Sequence, residues 1–345
     1  MTDFPPLLTS ALPNLTADDH SFLAAIFERF PSVQEGFELF SNLPENFCIR
    51  VAGSKLERQP RQGWLRFDLL TGSRNILNTH GYAANPDRWL IWEELEPVTE
   101  TVLEHSAEAQ DLYQLLYLTD PQKQWGMEVM KFHDFAEAVM GDFTPSDPIT
   151  RDEKQRLESI ALDLLTRARH TGDLLAQHIY NCLQIYEGNF DHCNTMRDQM
   201  LGTIQQQRVN GEIKPAQQGV VAFLENLYGR TPADFRRVCD QVTDTDTLHM
   251  ALRGYRMIKQ GHCRLPADEA FLKMEEFWTY IGKQGKLKTP LAQNFFEHFR
   301  SIYLREDCAY RPALSRAMAY AHNCEANPSF SSNEDLIFAR SRGFA

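Results

Sequence analysis

No stretch of the 345-residue chain holds the roughly 18 consecutive apolar residues that a membrane helix requires. The opening MTDFPPLLTSALPNLTADDH has neither a basic start nor a continuous apolar run, so no secretory leader is predicted. These two absences favour a cytoplasmic protein with no membrane partner. Positive charge is also scarce: 35 Lys and Arg against 47 Asp and Glu give a formal charge of −12. A nucleic-acid surface needs clustered basic side chains, so extended nucleic acid is not an expected partner. A small phosphate ligand needs only one or two well-placed cations and is not excluded.

Paired cysteines are missing too. Cys48, Cys182, Cys193, Cys239, Cys263, Cys308 and Cys324 are odd in number and contain no Cys-x-x-Cys pair. They read as buried thiols rather than a disulfide framework or a thiolate zinc site. No internal period is evident, which argues against a repeat solenoid.

What the chain does have, at 43% hydrophobic and 24% charged residues, is an ordinary globular composition carrying a helical period. Residues 17–43 place Phe22, Ile26, Phe30, Phe37 and Phe40 at helical spacing, and further helices are predicted over 102–117, 121–140, 151–169 and 172–187. The segment 188–235 reads as polar helical material followed by VVAFLENLYG, and 246–260, 268–283 and 289–304 again read as helices. Residues 71–100 are an irregular excursion with a weak β signal around Trp89–Trp92, and the final EANPSFSSNEDLIFARSRGFA packs locally or stays mobile.

The chemistry concentrates in WGMEVMKFHDFAEAVMGD. His133 and Asp134 offer an imidazole nitrogen and a carboxylate oxygen, a donor pair suited to a borderline divalent ion. Glu137 follows at i+4 and i+3 from these two, so a helix puts it on their side, where it can orient or deprotonate water. Asp142 lies just past the helix end as a second acidic group for proton transfer, or as a cap of the following turn. His105, in TVLEHSAEAQ, can supply a second imidazole; alone it would read as a structural histidine. Ser106 beside it has no elbow or triad to make it a nucleophile.

With EHS followed by HDFAEAVMGDFTP, the chain resembles the HD superfamily of metal-dependent phosphohydrolases, in the form of the branch containing bacterial deoxyribonucleotidases. The resemblance implies an all-α fold: an HD-domain helical core over 51–265, a helical extension over 1–50, insertions near 67–98 and 190–236, and a C-terminal helical extension over 266–345. It implies His105, His133 and Asp134 as metal ligands, with Glu137 and Asp142 as catalytic acidic groups. The aspartate of the family's last motif is absent from LLAQHIYNCLQIYEGN, where Gln177 and His178 stand, and is matched by Asp246 in DTLHMALRGYRMIKQG. Asp240 and Asp244 are substitutes for that ligand, and a helix cap is the alternative role for Asp246.

In KLERQPRQGWLRFD, the resemblance assigns Arg61 to the substrate phosphate, close before Trp64, with Arg66 in reserve; an exposed Arg61 beside a packed Trp64 is the alternative. Lys154 and Glu158 fit the pattern after the TPSDP loop, Lys154 as a substrate-binding cation or an exposed helix lysine. The expected cofactor is one divalent transition metal ion, Mn, Co, Zn, Fe or Ni. The expected reaction is hydrolysis of a phosphomonoester, with a nucleoside or deoxynucleoside 5'-monophosphate leading through the resemblance alone. Another phosphate ester, a nucleotide-like diester and a noncatalytic metal-stabilised interaction module are the alternatives. A homodimer is in keeping with the same resemblance. The excursion at 67–98, with His80, Tyr82, Trp89 and Trp92, departs from the family pattern where the substrate pocket is expected.

Overall fold

A computed structural model describes residues 12, 14–41, 102–141, 143, 148–166, 174–260, 266, 268–272, 274–275, 285–305 and 308–326. Among them every regular element is helical and no strand occurs. The helices are α1 (Ala17–Arg29), α2 (Pro31–Ser41), α3 (Val102–Leu116), α4 (Lys123–Phe132), α5 (Glu137–Met140), α6 (Arg151–Thr166), α7 (Leu174–Tyr186), α8 (Phe190–Val209), α9 (Gln218–Gly229), α10 (Arg236–Lys259), α11 (Pro290–Arg305) and α12 (Tyr310–Ala326). No described helix is long and apolar enough to cross a membrane.

Local chemistry sets the boundaries. Thr16 and Asp19 close a reciprocal capping box at the start of α1, each side chain accepting from the other's backbone N–H. The helical patterning over 17–43 divides into two helices at Phe30, because Pro31 has no N–H to donate and opens a new helix at its first position. Gly141 ends α5 at φ 80°, a conformation in which glycine carries no steric penalty, and donates its N–H to the Glu137 carbonyl.

The centre of the fold is a bundle in which α10 packs on α3, α4 and α7, while α4 also packs on α3 and α7. A Cβ at Gly126 would run into the Tyr113 ring, so this glycine sets how closely α4 approaches α3. The Tyr113 hydroxyl donates to Gln241 on α10 at 2.7 Å, and Gln241 donates to Asp120 at 2.7 Å. On one side α1 and α2 pack with α5 and α6; on another α8 and α9 lie against α7. The hairpin of α11 and α12 reaches the bundle through α10 and α3. Cys182, Cys193, Cys239 and Cys324 are buried and unbridged, as expected of structural thiols.

A polar knot sits between α4, α7, α8 and α9. His178 Nε2 meets Glu128 Oε2 at 3.1 Å and its Nδ1 meets the Tyr228 hydroxyl at 3.2 Å. Asn181 donates to that hydroxyl at 2.8 Å and its Oδ1 is 2.8 Å from His192 Nε2. Trp125 closes the knot, its indole N–H on the Leu227 carbonyl at 3.2 Å. Donors meet acceptors throughout, so these buried groups need nothing further.

Candidate metal centre

The helix expected over 121–140 stops at Phe132. The His133 ring places Nδ1 2.7 Å from the Met130 carbonyl, a carbonyl that a continuing helix would use for its own backbone. Backbone bonds three residues apart, from Phe135 to Phe132 and from Glu137 to Asp134, then tighten residues 133–136 into a turn. In that turn Asp134 Oδ2 comes within 3.0 Å of His133 Nε2, although neighbours in a regular helix point about 100° apart.

His105, on α3, brings Nε2 to 3.2 Å from His133 Nε2, 3.3 Å from Asp134 Oδ2 and 3.0 Å from Asp246 Oδ1. Asp246 Oδ1 is also 3.6 Å from His133 Nε2. One donor atom from each of these four residues lies within 4.8 Å of the other three. Ligands held about 2.1 Å from a common ion stand roughly 3–4 Å from one another, and the separations of His105 and His133 from each other and from the two carboxylates, 3.0–3.6 Å, fall in that range.

Hydrogen-bond direction sets what this cluster can bind. A carbonyl only accepts, so His133 carries its hydrogen on Nδ1 and turns the Nε2 lone pair inward. Asp134 and Asp246 add carboxylate oxygens, so acceptors face one another. Burial alone would lower the His133 pKa, but the charges and hydrogen bonds of Asp134 and Asp246 raise it from 6.5 to about 10. Burial opposes charge on the two carboxyls as well, yet the facing imidazoles hold Asp134 below the ordinary range and Asp246 well below it. The pocket therefore draws positive charge. A proton meets that demand in part, while nitrogen and carboxylate donors in this arrangement suit a divalent transition ion and leave coordination positions open if the ion accepts five or six ligands.

Asp246 lies well inside the 24-residue α10, so a capping role is ruled out by position. The substitutes weighed for it are engaged elsewhere. Asp240 takes the Lys288 ammonium at 2.8 Å, and Asp244 accepts from the Lys288 and Thr289 backbone N–H groups at 2.7 Å each.

Around the cluster, the Tyr186 hydroxyl donates to Asp246 Oδ2 at 3.3 Å, and its ring packs edge-on to His133. Burial, with the charges of Asp246, Asp134, Glu137 and Glu187, holds the Tyr186 pKa well above its usual value, so it stays a donor. Glu137 is nearly buried at the start of α5, and Lys154 Nζ on α6 lies 3.9 Å from its Oε1 and 3.5 Å from Glu158 Oε1. Burial raises the Glu158 pKa to about 7, against the opposing charge of Lys154 and with the repulsion of Glu187 and Asp134.

Among the sequence-derived site residues, His105, His133, Asp134 and Asp246 are thus brought together, with Glu137 and Lys154 paired beside them. Asp142, Arg61 and Trp64 lie outside the described residues, as do Arg66 and the excursion at 67–98. His178, in the segment LLAQHIYNCLQIYEGN, belongs to the polar knot. Sequence reasoning passed over Tyr186, His249 and Glu108. His249 and Glu108 stand three residues after Asp246 and His105, a spacing that puts each on its ligand's helix face.

Among known proteins, the chain is 38% identical over 58 residues to the 5'-deoxynucleotidase HDDC2 of Xenopus laevis, a match covering 17% of this chain and 28% of that protein's length. No family model matches the chain. No solved structure matches it. The short match and the His–His–Asp–Asp cluster together point to the HD superfamily, and neither selects one branch within it.

Proposed function

We propose that the chain is a metal-dependent phosphohydrolase whose substrate is a phosphomonoester, with a nucleoside or deoxynucleoside 5'-monophosphate as the leading class. The observation that carries this reading is the convergence of His105, His133, Asp134 and Asp246 with acceptor atoms facing inward. The 5'-deoxynucleotidase activity in the name of the frog relative supports the substrate class. These four residues would hold one divalent ion, which when bound supplies Lewis acidity and makes water more acidic.

The chain's own groups divide the remaining work. Glu137 takes one proton from the water that attacks phosphorus as the P–O ester bond breaks, and that proton ends on the departing alcohol oxygen, a role suited to a nearly buried carboxylate. Lys154 offsets charge on the nonreacting phosphate oxygens, exchanging part of its contact with Glu137 and Glu158 for the substrate. Arg61, with Trp64 three positions on in sequence, would add a second phosphate contact, and Asp142 a second acidic group. Tyr186 holds Asp246 in place through its hydroxyl.

The test is to strip the protein of metal, reload it with manganese, cobalt or zinc, and measure phosphate release from nucleotide and non-nucleotide monoesters. Turnover on at least one nucleotide is expected, with Glu137→Gln lowering kcat by about 10²–10⁴-fold while metal affinity stays within a few-fold. Tight metal uptake with no turnover on any ester would instead show a metal-stabilised scaffold.

A further inference from the structure

The two imidazoles of the metal centre are backed differently. His133 leans on a main-chain carbonyl, whereas His105 leans on other side chains. His105 Nδ1 is 3.1 Å from Nδ1 of His249, a residue of α10 that is only 5% exposed. On the far edge of that ring, Nε2 is 3.3 Å from Glu108 Oε2, and Glu108 is on α3 with His105. The Arg253 and Arg256 guanidinium groups each stand 3.9 Å from the same Glu108 oxygen. The His105 and His249 rings meet edge to face, their centroids 4.8 Å apart.

Direction follows from what each atom can do. An ionised carboxylate has no hydrogen, so the bond to Glu108 is donated by His249 Nε2. A neutral His249 then has a bare Nδ1, which can only accept, and the hydrogen between the two rings comes from His105 Nδ1. That leaves the lone pair of His105 on Nε2, the nitrogen that faces His133, Asp134 and Asp246. We propose that Glu108 and His249 act as a positioning relay that fixes the tautomer and ring orientation of His105 for metal binding. The relay rests on the metal-centre reading above and adds two residues to it. Both cross between α3 and α10, so it also ties together the two helices that carry His105 and Asp246. Groups that orient a ligating histidine in this way contribute about 10–100-fold to metal affinity.

The experiment uses the full chain. Calorimetric titration of the metal-free protein with zinc is expected to give a His249→Phe affinity about 10–100-fold below the parent. His249→Gln, whose side-chain oxygen can still accept from His105, is expected to recover most of that loss. Glu108→Gln is expected to fall between the parent and His249→Phe, since an amide oxygen accepts more weakly than a carboxylate. Affinity in His249→Phe within about twofold of the parent would overturn the relay, as would His249→Gln binding no better than His249→Phe.

Nitrogen-15 spectra of the zinc-loaded parent protein test the direction without any substitution, so they stand even where a variant does not fold. His249 protonated at Nε2 and bare at Nδ1 is expected; the opposite tautomer, or a doubly protonated ring, would overturn the relay. A parent chain that takes up no divalent ion removes the metal centre and the relay together, whereas unchanged zinc binding in His249→Phe removes the relay alone.

Discussion

Helix α4 and the turn that follows it contribute to two histidine–carboxylate groups of opposite character, through Glu128 to the knot around His178 and through His133 to the cluster with His105. Both are at least half-buried and both combine imidazole with carboxylate, so residue type does not distinguish them. Hydrogen-bond direction does. Around His178 each donor meets an acceptor, and the group is complete as it stands. Around His133 the acceptors converge on one point and a positive charge is required to hold them there. A buried histidine beside an acid is thus a fastening or a binding site according to where its hydrogens point.

The largest test of this contrast is His178→Ala. Removing one partner of a buried pair strands the other, and the change is expected to lower unfolding free energy by about 3 kcal/mol, at the low end of such losses because Glu128 keeps some solvent contact. Zinc stoichiometry should be unchanged. Urea unfolding read alongside metal titration checks both, and a loss of metal with no loss of stability would reverse the assignment of the two groups.

Asp246→Asn should do the converse: a fall in metal affinity of about 100-fold or more, equivalent to about 2.7 kcal/mol, with helical content retained by circular dichroism. Unaltered affinity would remove Asp246 from the ligand set. The smallest effect is on pH dependence. His133 has a folded pKa of about 10 against an ordinary 6.5, so the stabilisation it gives the metal-free protein is full below pH 6.5 and is lost as pH rises through about 10. Zinc bound at this cluster would displace that proton, so the difference in Tm between loaded and metal-free protein should widen across this window. A gap constant with pH would mean that zinc does not compete for the His133 proton.

The sequence carried the helices with a clear apolar stripe and the four residues of the cluster, the latter only through motif resemblance. Other features left no mark in hydrophobic pattern. The first half of α10 shows no apolar stripe in the sequence, because its buried face includes Gln241, Asp244 and Thr245, polar groups that the fold satisfies internally. The turn after Phe132 carries a helical apolar pattern, and the His133 ring bonding the Met130 carbonyl there is a side-chain contact that no periodicity reports. Tyr186 reaches Asp246 from a residue 60 positions away, and only the packing of α7 on α10 reveals it.

The position of Asp246 has a consequence for the order in which the protein forms. Helices α3 and α4 are neighbours along the chain, and the His105 and His133 side chains are only 28 residues apart. Asp246 joins His105 across 141 residues, so its loop closes at greater entropic cost and later than local helix pairing. During synthesis, a growing chain that has not yet reached α10 holds two imidazoles and one carboxylate, an incomplete claim on any ion. On the proposed metal-centre reading, ion uptake would therefore be an end point of folding, unlike small zinc modules whose ion nucleates the structure.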